Sequence, residues 1–353
     1  MSIAGLVGKA QTVVGAIDPT NLGITLPHEH LVFDGKTLVT EPDGASDRGL
    51  AYKPVSLKTL SWLRYHPYES VDNMQLLDEQ EAIAEVLLYK QAGGSTVVEL
   101  STRGLGRDPR ALARIAQATG LNIIMGSGYH AAPTQPTDIA FRSEEEITEE
   151  IVRDITVGVG DTGIRAGIIG EIGGSWPLLD VERKVMRASA RAQQITGAPL
   201  NIHPGRKEEC LFEIVKVLDS AGADLSRVIM SHVDARLGSH NERCQLAKTG
   251  CVIEYDLWGW EGHFPLYFTA DLLNLPNDTQ RVYDILQLIN DGYLNQILIS
   301  HDICTKSRCV CYGGWGYAHI SNYVVPMMLK RDMTSEQINT IMVENPKRLL
   351  QFV

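Results

Sequence analysis

Short, continuously apolar runs rich in β-branched residues alternate with amphipathic segments from about residue 23 to the end of the chain. Eight such runs stand out, at 23–31, 95–100, 122–128, 166–172, 199–203, 227–232, 251–256 and 296–302. Ile297-Leu298-Ile299 and Val228-Ile229-Met230 lack the polar alternation of a half-exposed strand, which predicts parallel strands buried on both faces. Between them apolar positions recur at helical spacing. Ile83, Val86 and Leu87 precede Gly93-Gly94; Val181, Val185, Ala188, Ala192 and Ile195 precede Gly197; Leu211, Ile214, Val215 and Leu218 precede Gly222. Eight β/α units with polar residues gathered at the strand exits predict an α/β fold, a closed (β/α)8 TIM barrel spanning 1–353 as one domain. No G-x-G-x-x-G follows the first strand, which disfavours a doubly wound nucleotide-binding sheet. Three connections are long, 33–71, 257–278 and 303–318, after strands 1, 7 and 8. All leave the same barrel face, where they are placed to wall or cover a pocket. The aromatic group Trp258, Trp260, Phe264, Tyr267 and Phe268 makes the second of them a candidate cap.

Composition narrows the partners. The chain has 353 residues, 44% of them hydrophobic, enough for a large core without disulfides. A formal charge of −11 argues against nucleic acid or an anionic membrane as the main partner. The six cysteines show no C-x-x-C pair or zinc-ribbon spacing and read as reduced thiols. With no signal-like segment or apolar span of membrane length, the expectation is a soluble, cytosolic protein.

The chemistry sits at the strand ends. His28 and His30 are two apart on the first strand and so share a face. Glu171, His203, His232 and Asp302 end the fourth, fifth, sixth and eighth. A lone barrel histidine is usually a core residue, but six convergent ligands reverse that reading. Glu171, set among apolar residues, needs a cation or several donors if buried. Six ligands exceed one tetrahedral site and suit two divalent ions, zinc first, with manganese or cobalt as substitutes. Such a pair supplies a bridging hydroxide near neutral pH, whose proton Asp302 could accept. His301, beside Asp302, should face away from the barrel axis.

Together, H-x-H after strand 1, the acidic residue after strand 4, histidines after strands 5 and 6 and an aspartate after strand 8 resemble the phosphotriesterase family of the amidohydrolase superfamily. The likeness extends from Leu26-Pro27-His28-Glu29-His30 to Glu344-Asn345-Pro346-Lys347 and is closest to the animal branch, through Ile202-His203-Pro204-Gly205-Arg206 and Tyr312-Gly313-Gly314-Trp315-Gly316-Tyr317. It implies His28, His30 and Asp302 on one metal, His203 and His232 on the second, and Glu171 bridging where bacterial members use a carboxylated lysine. The aspartate that the family places three residues after the strand-6 histidine falls on Ala235, which weakens the expectation of organophosphate turnover. The animal branch implies hydrolysis of N-acetyltaurine and related N-acyl taurines or amino acids, a lactonase or promiscuous phosphotriesterase being the alternative; it also admits a homodimer.

A small anionic N-acylated substrate needs a fixed cation. Arg206, three residues past His203, is the candidate; Lys306, Arg308 and Arg236 read as solvated loop charges. Tyr129 or His130 at the third strand's end, Tyr255, Tyr317 and His319 are further candidate substrate contacts, and His66, His240 and His263 read as surface or packing residues.

Overall fold

A computed structural model of the chain describes residues 5–265 and 272–353. Tyr267 and Phe268 of the expected aromatic cap lie outside the described residues, as does the side chain of Phe264. Eight parallel strands form one sheet in chain order: β1 (Thr25–Glu29), β2 (Thr96–Glu99), β3 (Asn122–Ser127), β4 (Ile168–Gly173), β5 (Leu200–His203), β6 (Val228–Met230), β7 (Val252–Tyr255) and β8 (Ile297–Ile299). Each coincides with one of the eight apolar runs, β4 extending one residue past its run to Gly173. The barrel closes where β8 meets β1, and side chains make that seam. Glu29 accepts from His301 N (2.8 Å), Ile303 N (3.0 Å), Ser300 Oγ (2.8 Å) and His301 Nδ1 (2.7 Å), while Asp302 N donates to His28 O at 3.1 Å. Burial alone would raise the Glu29 pKa, but His301 and the other donors hold it below the usual carboxylate value.

Helices follow the strands as α1 (Glu79–Gln91), α2 (Pro109–Thr119), α3 (Glu144–Thr156), α4 (Asp180–Thr196), α5 (Glu208–Ser220), α6 (His240–Lys248), α7 (Asp278–Asn290) and α8 (Val325–Leu329). Their starts carry local signals. Asp78 and Asp108 accept from first-turn amides, and Ser143 with Glu146 and Ser239 with Glu242 form reciprocal caps. Gly197 ends α4 in the left-handed region (φ 68°), where a glycine costs nothing.

Strand alternation sorts the core into two layers. Val98, Leu100, Ile124, Ile168, Ile229, Val252 and Leu298 fill the barrel with Ala10 and Leu22 from the N-terminal region and Leu349 and Leu350 from the C-terminal helix Asn345–Leu350. Val97, Ile123, Ile169, Ile202, Met230, Ile253 and Ile299 belong to the other cluster, shared with the helices. The hairpin Ala10–Thr12/Gly15–Ile17 closes the end at which the strands begin, Val13 N donating to Ile123 O at 2.9 Å. The opposite end is left for chemistry.

Candidate metal centre

All six candidate ligands from the strand ends arrive at one place. Glu171 lies in the middle: its Oε1 is 2.5 Å from His203 Nδ1, 3.1 Å from His232 Nε2 and 3.5 Å from His28 Nε2, and its Oε2 is 3.9 Å from His30 Nε2. Asp302 Oδ1 completes the first side, 3.1 Å from His30 Nε2 and 3.7 Å from His28 Nε2. Glu171 Oε1 therefore meets His203, His232 and His28, Oε2 faces His30, and Asp302 joins the cluster through the two β1 histidines. His232 (φ 58°) and Asp302 (φ 52°) take left-handed backbone conformations that side chains rarely adopt, at the points where β6 and β8 turn into their loops.

A second set of buried groups aims the rings. Glu254 Oε2 and Asp256 Oδ2 lie 3.1 and 3.2 Å from His28 Nδ1, Asp256 Oδ1 lies 2.8 Å from His232 Nδ1, and Ser101, itself bonded to Glu99, lies 2.9 Å from His30 Nδ1. Hydrogen bonding of the far ring nitrogen fixes the tautomer and directs the other nitrogen inward. Asp256 was not among the sequence candidates, yet a signal for it exists: Glu254 and Asp256 are two acidic residues two apart on an otherwise apolar strand, hence on the same, inner face.

The donor set fits divalent metal. Glu171, Glu254, Asp256 and Asp302 are buried together with imidazoles and neutral donors such as Asn201 and Ser231 beside them, and His28 Nε2 is buried without a hydrogen-bond partner among the described residues. Buried carboxylates in such number require positive charge. Protons on the histidines are one source: burial opposes charging His28, but Glu171 and Asp256 outweigh it and raise its pKa well above the ordinary value. Metal ions at the same nitrogens are the other. His28, His30 and Asp302 form one group able to hold an ion, and His28, Glu171 and His232 another.

The centre floors a cavity of about 540 Å³. Phe33, Val39, Tyr68 and Met74 from the loop after β1 wall it, His130 lies over the centre, and Arg206 sits at its side. Arg206 lies over the Tyr68 ring at 5.8 Å, and Arg236, half-buried, is near both; burial and the Arg206 charge lower its pKa. Tyr68 is a further cavity residue that helical or strand periodicity could not have singled out.

Several expected substrate contacts lie elsewhere. At the end of β3 the alternation selects His130, which faces the cavity, 4.0 Å from Glu171 Oε2. Tyr129 turns outward, donates to Glu150 at 2.7 Å and accepts from Arg142 at 2.7 Å. Tyr255 packs into the barrel–helix layer, since its neighbours Glu254 and Asp256 take the inner face. Tyr317 donates to His30 O at 2.6 Å, fixing the β1 exit from behind, and His319 Nε2 pairs with Asp278 at 2.6 Å. Arg308 is not a solvated charge: it holds the carbonyls of His301, Asp302 and Trp258. Lys306 pairs with Asp72 at 2.6 Å, and Asp234 beside Ala235 is taken by Arg281 at 2.6 Å. His301 faces away from the axis, onto Glu29.

The Phosphotriesterase family model matches residues 8–350. The chain belongs to the phosphotriesterase family. A phosphotriesterase-related protein of Nematostella vectensis is 46% identical, covering 98% of this chain and 99% of its own. The N-acetyltaurine hydrolase of Bos taurus is 42% identical, covering 99% and 100%. Among solved structures, a resiniferatoxin-binding protein of Rhodobacter sphaeroides superposes with a TM-score of 0.94 at 34% identity, covering 98% of this chain and 95% of that one. The family uses a binuclear metal centre, and the groups gathered around Glu171 supply donors for it. Among the described residues no helix is long and apolar enough to cross a membrane.

Proposed function

We propose that the protein is a binuclear metal-dependent amidohydrolase that cleaves N-acetyltaurine, and related N-acylated anionic amines, to the free amine and the carboxylic acid. The carrying observation is Arg206 on the wall of a cavity whose floor is the histidine–carboxylate cluster. A sulfonate held by a guanidinium there leaves the acyl group to reach the centre. Curated vertebrate relatives at 41–42% identity carry the name N-acetyltaurine hydrolase, which supports the substrate.

His28, His30 and Asp302 would hold one ion, His203 and His232 the other, with Glu171 between; zinc suits this nitrogen and oxygen set, with manganese or cobalt as substitutes. When bound, the ions polarise the acyl carbonyl and acidify water to about pKa 7. Asp302, open to the cavity on one side, is placed to take the proton of the attacking water and return it to the leaving nitrogen. The backing of Arg206 by Arg236 concentrates positive charge where an anion would compensate it. The apolar wall of Phe33, Val39 and Met74 excludes water from the acyl side.

The test is taurine release from N-acetyltaurine by zinc-loaded protein, with Glu171→Ala as control. Release that vanishes in the control supports the reading. A folded, metal-replete protein that releases no taurine but opens neutral lactones would overturn it.

A further inference from the structure

Away from the barrel mouth, His240 and Cys244 lie one turn apart on α6, and Asp291 caps the C-terminal end of α7 beside them. His240 Nε2 is 2.8 Å from Asp291 Oδ2, and Cys244 Sγ lies 3.4 Å from each. Neither helix needs this meeting for its core. Val282, Ile285 and Leu288 bury the apolar face of α7, and Leu246 and Ala247 that of α6.

We infer that His240, Cys244 and Asp291 form a second, separate metal site, for a zinc-like divalent ion. The size of the triangle carries this. Zinc–ligand bonds of about 2.0 Å to nitrogen and oxygen and about 2.3 Å to sulfur give tetrahedral edges of roughly 3.3 Å between nitrogen and oxygen and roughly 3.5 Å to sulfur. The sulfur edges already match, and the His240–Asp291 edge has only to open by about 0.5 Å. Imidazole, thiolate and carboxylate together select zinc over magnesium or calcium, which prefer oxygen alone. The i, i+4 spacing places both helix ligands on one face, as in helical zinc motifs. Cys244 is buried while His240 and Asp291 reach solvent, which leaves a fourth position open to water and a path for entry.

Binding displaces the thiol proton, and the proton on His240 Nε2 gives way to one on Nδ1, a buried nitrogen without a hydrogen-bond partner among the described residues. One proton therefore leaves per ion bound. The bound ion would tie the start of α6 to the end of α7, joining two neighbouring β/α units.

The site is tested on the full chain by metal counting after zinc loading and desalting. Wild type should bind one equivalent more than Cys244→Ser and than His240→Ala, with N-acetyltaurine turnover unchanged in both. Cobalt substitution should give a thiolate-to-metal charge-transfer band that disappears in Cys244→Ser and persists in Cys304→Ser, the control for the thiol in the cavity. Equal metal content in wild type and Cys244→Ser, or a cobalt band that survives that substitution, would overturn the inference. The comparison is a difference between variants, so it holds whatever the barrel centre hydrolyses.

Discussion

Asp256 is the residue on which the two halves of the barrel centre depend together, and Asp256→Asn isolates its role. Its carboxylate lies 2.8 Å from His232 Nδ1 and 3.2 Å from His28 Nδ1, and it accepts the His232 backbone N–H at 3.0 Å. Asparagine keeps the shape and one carbonyl oxygen. Its amide nitrogen, however, must face at least one of these donors, and both remaining contacts lose their charge. Charge-assisted bonds contribute about 1.5–3 kcal/mol against about 0.5–1.5 for neutral ones, so about 1–3 kcal/mol of histidine orientation is lost. Each 1.4 kcal/mol is tenfold, which predicts a 10–100-fold fall in metal affinity, the range seen when groups behind metal-binding histidines are removed. Chelator competition would measure the affinity, and kcat/KM at saturating zinc would show whether activity recovers once metal is restored. Metal affinity within twofold of wild type in a folded variant would refute the claim that Asp256 sets the two rings.

Three further outcomes are expected. His232 keeps its proton up to about 9, because Asp256 and Glu171 outweigh the cost of burial, and the His28 pKa is raised as well, so metal must displace these protons: affinity at the barrel centre should fall by at least about tenfold per pH unit from 8 to 6. The sign reverses for the metal-free protein, where this raised pKa contributes stability that is complete below about 6.5 and disappears as pH rises through about 9; thermal unfolding across that range checks it. Arg206→Ala should raise KM for N-acetyltaurine at least tenfold with little change in kcat, and a collapse of kcat at constant KM would instead assign Arg206 to the transition state. Tyr129→Phe should cost about 1–3 kcal/mol in denaturant unfolding, through the bonds to Glu150 and Arg142, while kcat and KM stay within twofold.

What the sequence disclosed, and what it hid, follows from how far a local period reaches. Strand alternation is rigid, so His28 and His30 had to share a face, and the strand exits had to bring Glu171, His203, His232 and Asp302 to one end. The same rule holds for Tyr255. Glu254 and Asp256 cannot be buried without donors, which only the inner face provides, so the tyrosine between them is forced outward. Reading Tyr255 as a pocket residue weighed its place at a strand end above its phase. Tyr68, Arg308 and His319 had no period to read, because the loops after β1 and β8 are set by tertiary packing, as where Lys306 meets Asp72 and His319 meets Asp278.

Ala235 shows both limits together. The missing aspartate after β6 was legible as a departure from the family pattern, and it suggested a centre without its usual support. The neighbouring Asp234 does not replace it, being committed to Arg281. Support for His232 comes instead from β7, the next strand, where Asp256 accepts both the backbone and the ring N–H of His232. A carboxylate on an adjacent strand does for ring orientation what one on the same loop would do. It sits behind the imidazole, though, buried and turned from the cavity, and so cannot meet a substrate or carry a proton from it. That leaves Asp302 as the carboxylate at the cavity floor suited to proton transfer, since Glu171 is held between the two sets of histidines. The departure at Ala235 therefore changes which residues can handle the proton rather than whether the metal centre forms.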